Sequence, residues 1–257
     1  MKALIQGYFK FLKRSTNQHG VHSPFVFKLV TQCFYDKQNK SAYKVLQAYR
    51  NRLLQNKNTI HVTDFGAGSR IFKTNQREIA KIAKTAGITK ARAELLYRVT
   101  AYFKPKQVLE IGTSLGLATA ALAAGNSDAE IISLEGCPET AATALENLQH
   151  FNLHNATVKI GEFTQSFKEL ETKKFDLIYF DGNHQKDATL AYFDALLPTA
   201  HNDSVWIFDD IHWSKPMNEA WEIIKNKPEV CVTIDTFQWG FVFFRTEQEK
   251  EHFTIRT

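Results

Sequence analysis

The stretch QVLEIGTSLG, residues 107–116, decides how the whole chain is read. Gln107 to Ile111 is a short apolar run around Glu110, of the length of one buried strand. Gly112, Thr113, Ser114 and Gly116 then form a turn, and LGLATAALAAG (115–125) follows as a small-residue helix closed by Gly125. A strand that feeds a glycine turn and then a helix is the unit from which parallel sheets are assembled.

The same alternation continues to the C-terminal side. AEIISLE (129–135) is a second strand, and PETAATALENLQHF (138–151) is a helix that starts on Pro138 and carries Ala142, Leu145 and Leu148 at helical spacing. ATVKIG (156–161), KFDLIYFD (174–181) and SVWIFDD (204–210) are further strands, with helices near 163–171 and 186–197, the latter stopped by Pro198. Strands that are apolar on both faces and joined by helices make a parallel sheet with helices on both sides. After a helix at 216–226, EVCVTIDT (229–236) and GFVFFRT (240–246) are separated only by Phe237, Gln238 and Trp239. That gap is too short for a crossover, so the two form an antiparallel hairpin.

Residues 1–88 have a different texture and are expected to form a basic helical N-terminal cap or substrate lid, with residues 89–257 as the ligand-binding domain. Short helices broken near His19, Gly20 and Ser23-Pro24 run to about residue 55, and 56–74 is turn-rich. From Gln76 to Phe103 helix formers dominate, interrupted at Gly87, with Thr89 as the N-cap of the second part and Pro105 beyond its end. The first residues, MKALIQGYFKFLKRS, can form a basic amphipathic helix with Leu4, Ile5, Tyr8, Phe9 and Leu12 on one side, and docking of that side on the protein's own core is the expected use.

Of 257 residues, 44% are hydrophobic and 23% charged, which provides a real core and excludes wholesale disorder and disulfide-stapled folds. The net charge of +5 conceals an asymmetry: residues 1–106 hold 21 Lys and Arg against Asp36, Asp64, Glu78 and Glu94, a net of +17, and residues 107–257 carry −12. A basic front half suits nucleic acid, anionic lipid or an acidic substrate. Cys33, Cys137 and Cys231 have neither zinc-site nor disulfide-framework spacing, and with no signal peptide and no membrane-length apolar run the expected location is the cytoplasm.

Open α/β sheets bind ligands beyond the carboxyl ends of their strands, so two glycine turns compete. After Gly116 the next strand ends in a carboxylate, Glu135, 19 residues on, placed to accept both ribose hydroxyls of a nucleoside. After the other turn, Asp64-Phe-Gly66-Ala-Gly68-Ser69, the next 35 residues read as helical and basic with no such strand, so it is taken as a structural turn. A dinucleotide-binding dehydrogenase is disfavoured because the turn at 112–116 is G-x-x-x-G and not G-x-G-x-x-G.

On these motifs, residues 107–246 resemble a class I S-adenosylmethionine-dependent methyltransferase. Glu110, Gly112, Thr113, Ser114 and Gly116 resemble that family's first motif, Glu135 its ribose-binding acid, and Gly161-Glu162 the adenine-side position that usually reads Gly-Asp. The resemblance implies a Rossmann-like seven-stranded, mostly parallel α/β sheet with an antiparallel C-terminal hairpin, and S-adenosyl-L-methionine as cofactor.

The fourth and fifth strands of that sheet end in Asp181-Gly-Asn183-His184 and Asp209-Asp210-Ile-His212-Trp213. Three acids at one sheet edge repel unless a cation neutralises them, so a divalent metal, Mg2+ above all, is the expected occupant. The pattern is similar to metal-dependent O-methyltransferases of the catechol O-methyltransferase type, and closer still to the subgroup acting on macrolide sugars. That resemblance implies Asp181, Asp209 and Asp210 as metal ligands and His184 as the base that deprotonates the acceptor hydroxyl, with Lys186 as a fallback. His212 and Trp213 are placed to touch substrate; His19 and His22 receive no catalytic role. The expected activity is metal-assisted O-methylation of a small-molecule or saccharide hydroxyl. The alternative is an RNA-modifying, tRNA-directed O-methyltransferase that uses the basic front half, and in either case a homodimer is compatible.

Overall fold

A computed structural model describes the backbone of residues 2–63 and 72–257 and the side chains of residues 6–63 and 72–257. The Asp64–Ser69 turn lies outside the described residues. The chain forms two compact units, Asp36–Ser166 and a second built from Met1–Tyr35 with Phe167–Thr257. Residues 1–88, expected as one region, are thus distributed over both.

In the first of these units, α3 (Ala42–Gln55) is followed by β1 (Thr59–His61) and β2 (Gln76–Glu78), a small antiparallel pair in which Ile60 faces Arg77. Neither strand is expected from the sequence, because three polar-rich residues carry no strand periodicity. Helices α4 (Ile79–Thr85) and α5 (Lys90–Phe103) come next, and the Thr89 side chain caps α5 by accepting the Arg92 amide at 3.3 Å, as its sequence position predicts. Lys104 then adopts a left-handed φ of 50° and Pro105 cannot continue the helix.

Parallel strands β3 (Gln107–Ile111), β4 (Glu130–Glu135) and β5 (Ala156–Ile160) alternate with α6 (Leu117–Gly125) and α7 (Pro138–His150). Ile111 is level with Leu134, and Glu135 with Ile160, so the three strands release their following loops at one edge. Leu109, Ile111, Ile131 and Leu134 are fully buried, with Leu96, Val99, Ala121 and Leu122 supplied by the helices. α3 packs against α4, α5 and α6.

The other unit begins with α1 (Lys2–Arg14) and α2 (Pro24–Leu29), the latter started by Ser23 as N-cap and Pro24 in its first turn, and continued by a π-helical turn at Val30–Phe34. After α8 (Phe163–Leu170), where the two units divide, come β6 (Leu177–Phe180), α9 (Lys186–Leu196), β7 (Val205–Asp209), α10 (Lys215–Lys225), β8 (Val232–Asp235), β9 (Trp239–Phe243) and β10 (Glu251–Thr254). Their sheet order is β10-β8-β9-β7-β6, with β6 parallel to β7 and β9 antiparallel to both neighbours, which is the expected hairpin. β10 pairs parallel to β8 and adds a strand to the expected seven; its four residues, Glu-His-Phe-Thr, expose Glu251 and His252 and bury Phe253.

Residues 2–35 are bound to this unit by aromatic packing. Phe25 meets Phe243 edge-on at 5.0 Å, and Phe34 lies 5.0 Å from Phe241. Thr16 bridges to Ile255, and the Tyr35 hydroxyl donates to the Arg256 carbonyl at 2.7 Å. Phe11 of α1 is buried against Phe237, whereas Tyr8 and Phe9 remain exposed, so α1 docks by only part of its apolar side. Among the described residues no helix is long and apolar enough to cross a membrane, and Cys33 and Cys137 are buried.

Candidate functional site

At the carboxyl edge of β3, β4 and β5, the backbone of the glycine turn is unusually shaped. Gly112, Ser114 and Gly116 have φ of 98°, 49° and 76°, the left-handed region that only glycine enters without steric cost. The turn persists because its polar groups are tied. Gly112 and Thr113 amides donate to the Leu134 carbonyl at 2.9 and 3.1 Å, and the Gly116 amide donates to the Thr113 carbonyl at 2.8 Å.

Glu135 closes the turn from the end of β4. One carboxylate oxygen accepts the Ser114 amide at 2.7 Å and the other accepts the Cys137 amide at 2.9 Å. The Thr140 hydroxyl and the Gly136 amide also stabilise this carboxylate. Burial pushes the Glu135 carboxyl above its ordinary pKa, and these amide hydrogen bonds oppose the rise.

Glu110 is fully buried. Its Oε2 accepts the Thr119 and Ser133 hydroxyls, each at 2.5 Å, and Ser133 is paired in turn with Thr113. Its Oε1 has no hydrogen-bond partner among the described residues. Burial drives its pKa up to about 7 against the two hydroxyl bonds, which favour the charged form. Thr119, Ser133 and Tyr49 are members of this site that sequence motifs do not reveal. Their small or aromatic side chains look like ordinary helix and strand residues, and only the packing brings them to the loop.

Gly161 follows β5, and its amide donates to the Glu135 carbonyl at 2.9 Å. A Cβ at Gly161 would meet nothing closer than the Ser166 hydroxyl at 4.0 Å, so the backbone there is open to a ligand. The Glu162 side chain is exposed and caps α8: it accepts the Thr164 and Gln165 amides, each at 3.2 Å, and pairs with the Thr164 hydroxyl.

In the other unit, Asp181 and His184 follow β6, with His184 Nε2 3.7 Å from Asp181 Oδ1. Between them Asn183 is left-handed at φ 51°; its amide donates to the Tyr192 hydroxyl at 3.3 Å and its buried Oδ1 has no partner among the described residues. Asp209, at the end of β7, is only 4% exposed. Its Oδ2 accepts the Tyr179 hydroxyl at 3.1 Å and its Oδ1 the Asp210 amide at 2.7 Å, and the Asp210 backbone is left-handed at φ 53°.

The expected three-carboxylate metal centre is not shown by this arrangement. No group of three or more His, Cys, Asp or Glu side chains able to hold an ion is gathered among the described residues, Asp181, Asp209 and Asp210 included. Each Asp209 oxygen is engaged by one internal donor, the Tyr179 hydroxyl or the Asp210 amide. Lys186 is held by Glu219 at 2.8 Å, and that bond raises its pKa, which makes it a poor base.

His212 does not present a free nitrogen to a substrate. Nδ1 meets the Asn218 amide oxygen and Nε2 the Asp235 carboxylate at 2.8 Å, with the ring stacked on Phe237 at 5.2 Å. Asp235, at the end of β8, is a partner that the sequence reading omitted. Trp213 is 37% exposed beside it. The His19 backbone joins the short turn capped by Asn17, and His22 is exposed before α2.

Residues 109–211 match the family model of a methyltransferase domain. Among solved structures, the chain is similar to the O-methyltransferase of Bacillus cereus in complex with SAH, at 20% identity and a TM-score of 0.54, over 82% of this chain and 93% of that one. It is also similar to a Podospora anserina methyltransferase bound to SAH, at 15% identity and 0.59 over 87% and 97% of the two chains. A third is the O-methyltransferase TomG of Streptomyces achromogenes in complex with SAM, at 17% identity and 0.53 over 83% and 92%.

Proposed function

From a methyltransferase domain at residues 109–211 on a class I methyltransferase fold, we propose that this protein is an S-adenosylmethionine-dependent O-methyltransferase acting on a small-molecule or saccharide hydroxyl. The observation that carries the reading is the Glu135 carboxylate. It is preset by the Ser114 and Cys137 amides at the carboxyl end of β4, beside the glycine turn, where a ribose hydroxyl would meet an acceptor. The left-handed turn at Gly112–Gly116 and the open backbone at Gly161 suit close approach of the same ligand. That two of the cited neighbours hold SAH and one SAM supports this choice.

When bound, S-adenosylmethionine supplies an electrophilic methyl group on a sulfonium. Glu135 binds its ribose, and Glu110 lies buried behind the turn, held by the Thr119 and Ser133 hydroxyls. His184 is the proposed base: one imidazole nitrogen takes the proton of the acceptor hydroxyl, with the Asp181 carboxylate 3.7 Å from Nε2. No step is assigned to a metal, because no group of three or more His, Cys, Asp or Glu is gathered to hold one among the described residues.

The test is methyl transfer from labelled S-adenosylmethionine into a metabolite extract and, separately, into RNA from a strain lacking the protein. Label in a small molecule, lost in His184→Ala, supports the proposal. Label in RNA alone would replace it with the alternative that the basic front half favours, and label in neither would overturn it.

A further inference from the structure

The Gly112–Gly116 turn holds a strained serine and two left-handed glycines, and its ties to Leu134 and Glu135 come from the ligand's own side of the sheet. Glu135 is also the group proposed to take on ribose. A tie from outside this edge can shape the turn before the ligand arrives.

Tyr49 supplies it. It lies in the middle of α3, outside the matched domain, and is completely buried. Its hydroxyl donates to the Leu115 carbonyl at 3.0 Å and lies 3.4 Å from the Ala144 carbonyl on α7. The ring packs on Phe151 at 5.3 Å, and the hydroxyl occupies the space that a side chain at Gly116 would fill. Burial pushes the phenol's pKa upward, so it stays a neutral donor throughout the working pH range. On the next turn of α3, Arg52 reaches Asn147 at 3.0 Å and Glu146 at 2.8 Å, which fixes α3 on α7 without touching the turn.

We propose that Tyr49 is a positioning residue of the methyl-donor site, its hydroxyl holding the Leu115 carbonyl so that the Gly112–Gly116 turn has its binding shape before the ligand arrives. The inference rests on the S-adenosylmethionine reading. Tyr49→Phe keeps the ring and removes only the donor, leaving a buried carbonyl unpaired. Arg52→Ala removes a different α3–α7 tie and is the control.

The experiment titrates S-adenosylhomocysteine into the full chain, its Tyr49→Phe variant and its Arg52→Ala variant, with hydrogen exchange of the Gly116 amide followed in the unliganded wild type. The expected result is a dissociation constant about fivefold to tenfold higher for Tyr49→Phe, an unchanged one for Arg52→Ala, and a Gly116 amide already protected without ligand. Equal affinity of Tyr49→Phe and wild type, or equal weakening in both variants, overturns the positioning role while leaving the donor reading in place. A Gly116 amide that exchanges freely until ligand is added also overturns it, even if Tyr49→Phe fails to fold. Absence of binding by the wild type removes both readings together.

Discussion

Replacing Glu110 by glutamine isolates the cost of a buried carboxylate beneath the glycine turn. In the folded protein burial raises its pKa from 4.5 to about 7. Below pH 4.5 folded and unfolded chains both carry the proton and the group contributes nothing. Between the two values the unfolded chain releases it and the folded chain keeps it, so stability falls as pH rises, and above about pH 7 the full penalty is present. At about 1.36 kcal/mol per pKa unit, that penalty is about 3 kcal/mol. Glutamine retains an oxygen for the Thr119 and Ser133 hydroxyls and places an NH2 where the protonated acid carries its hydrogen, so the variant mimics the neutral form. The variant is expected to be more stable by about 1 kcal/mol at pH 5 and by about 3 kcal/mol at pH 8.5. Urea unfolding followed by circular dichroism and by hydrogen exchange of the 107–135 amides measures it. Tryptophan fluorescence is the control, because Trp206, Trp213, Trp221 and Trp239 all lie in the other unit. Parallel stability curves for the two proteins from pH 5 to 8.5 would refute the reasoning.

Further outcomes follow from the same geometry. His184→Ala should lower turnover on the order of a hundredfold while leaving S-adenosylmethionine affinity within about twofold in calorimetry, since base removal costs the proton transfer alone. Gly116→Ala places a methyl against Tyr49 and 3.2 Å from the Ala144 Cβ at a φ of 76°; circular dichroism melts should show a loss of about 1–3 kcal/mol. Turnover in EDTA should stay within about twofold of that in Mg2+, as expected where His184 alone takes the proton; loss of activity would show that a cation gathers Asp181, Asp209 and Asp210.

The order of strands and helices from residue 107 onward is readable because each buried strand is an uninterrupted apolar run and each helix has its own start or stop, such as Pro138, Gly125 or Pro198. β10 escaped because Glu-His-Phe-Thr buries one apolar side chain and gains its place from pairing with β8, a long-range contact with no local signature. The motif glycines and Glu135 announce themselves by spacing from a strand end. Tyr49 does not, since a tyrosine inside a basic helix is shown to act on the turn only by three-dimensional packing. The direction of Asp209 was equally hidden: the Tyr179 hydroxyl, on the neighbouring parallel strand, claims its carboxylate, and no linear pattern records that choice.

The most direct measurement is calorimetric titration of S-adenosylmethionine into the wild type and Glu135→Ala. Saturable binding at one site per chain, weakened at least about tenfold by loss of the carboxylate that accepts the ribose hydroxyls, is the expected result. Absence of binding by the wild type, or equal affinity of the two proteins, would contradict a methyl-donor site at the edge of β3, β4 and β5.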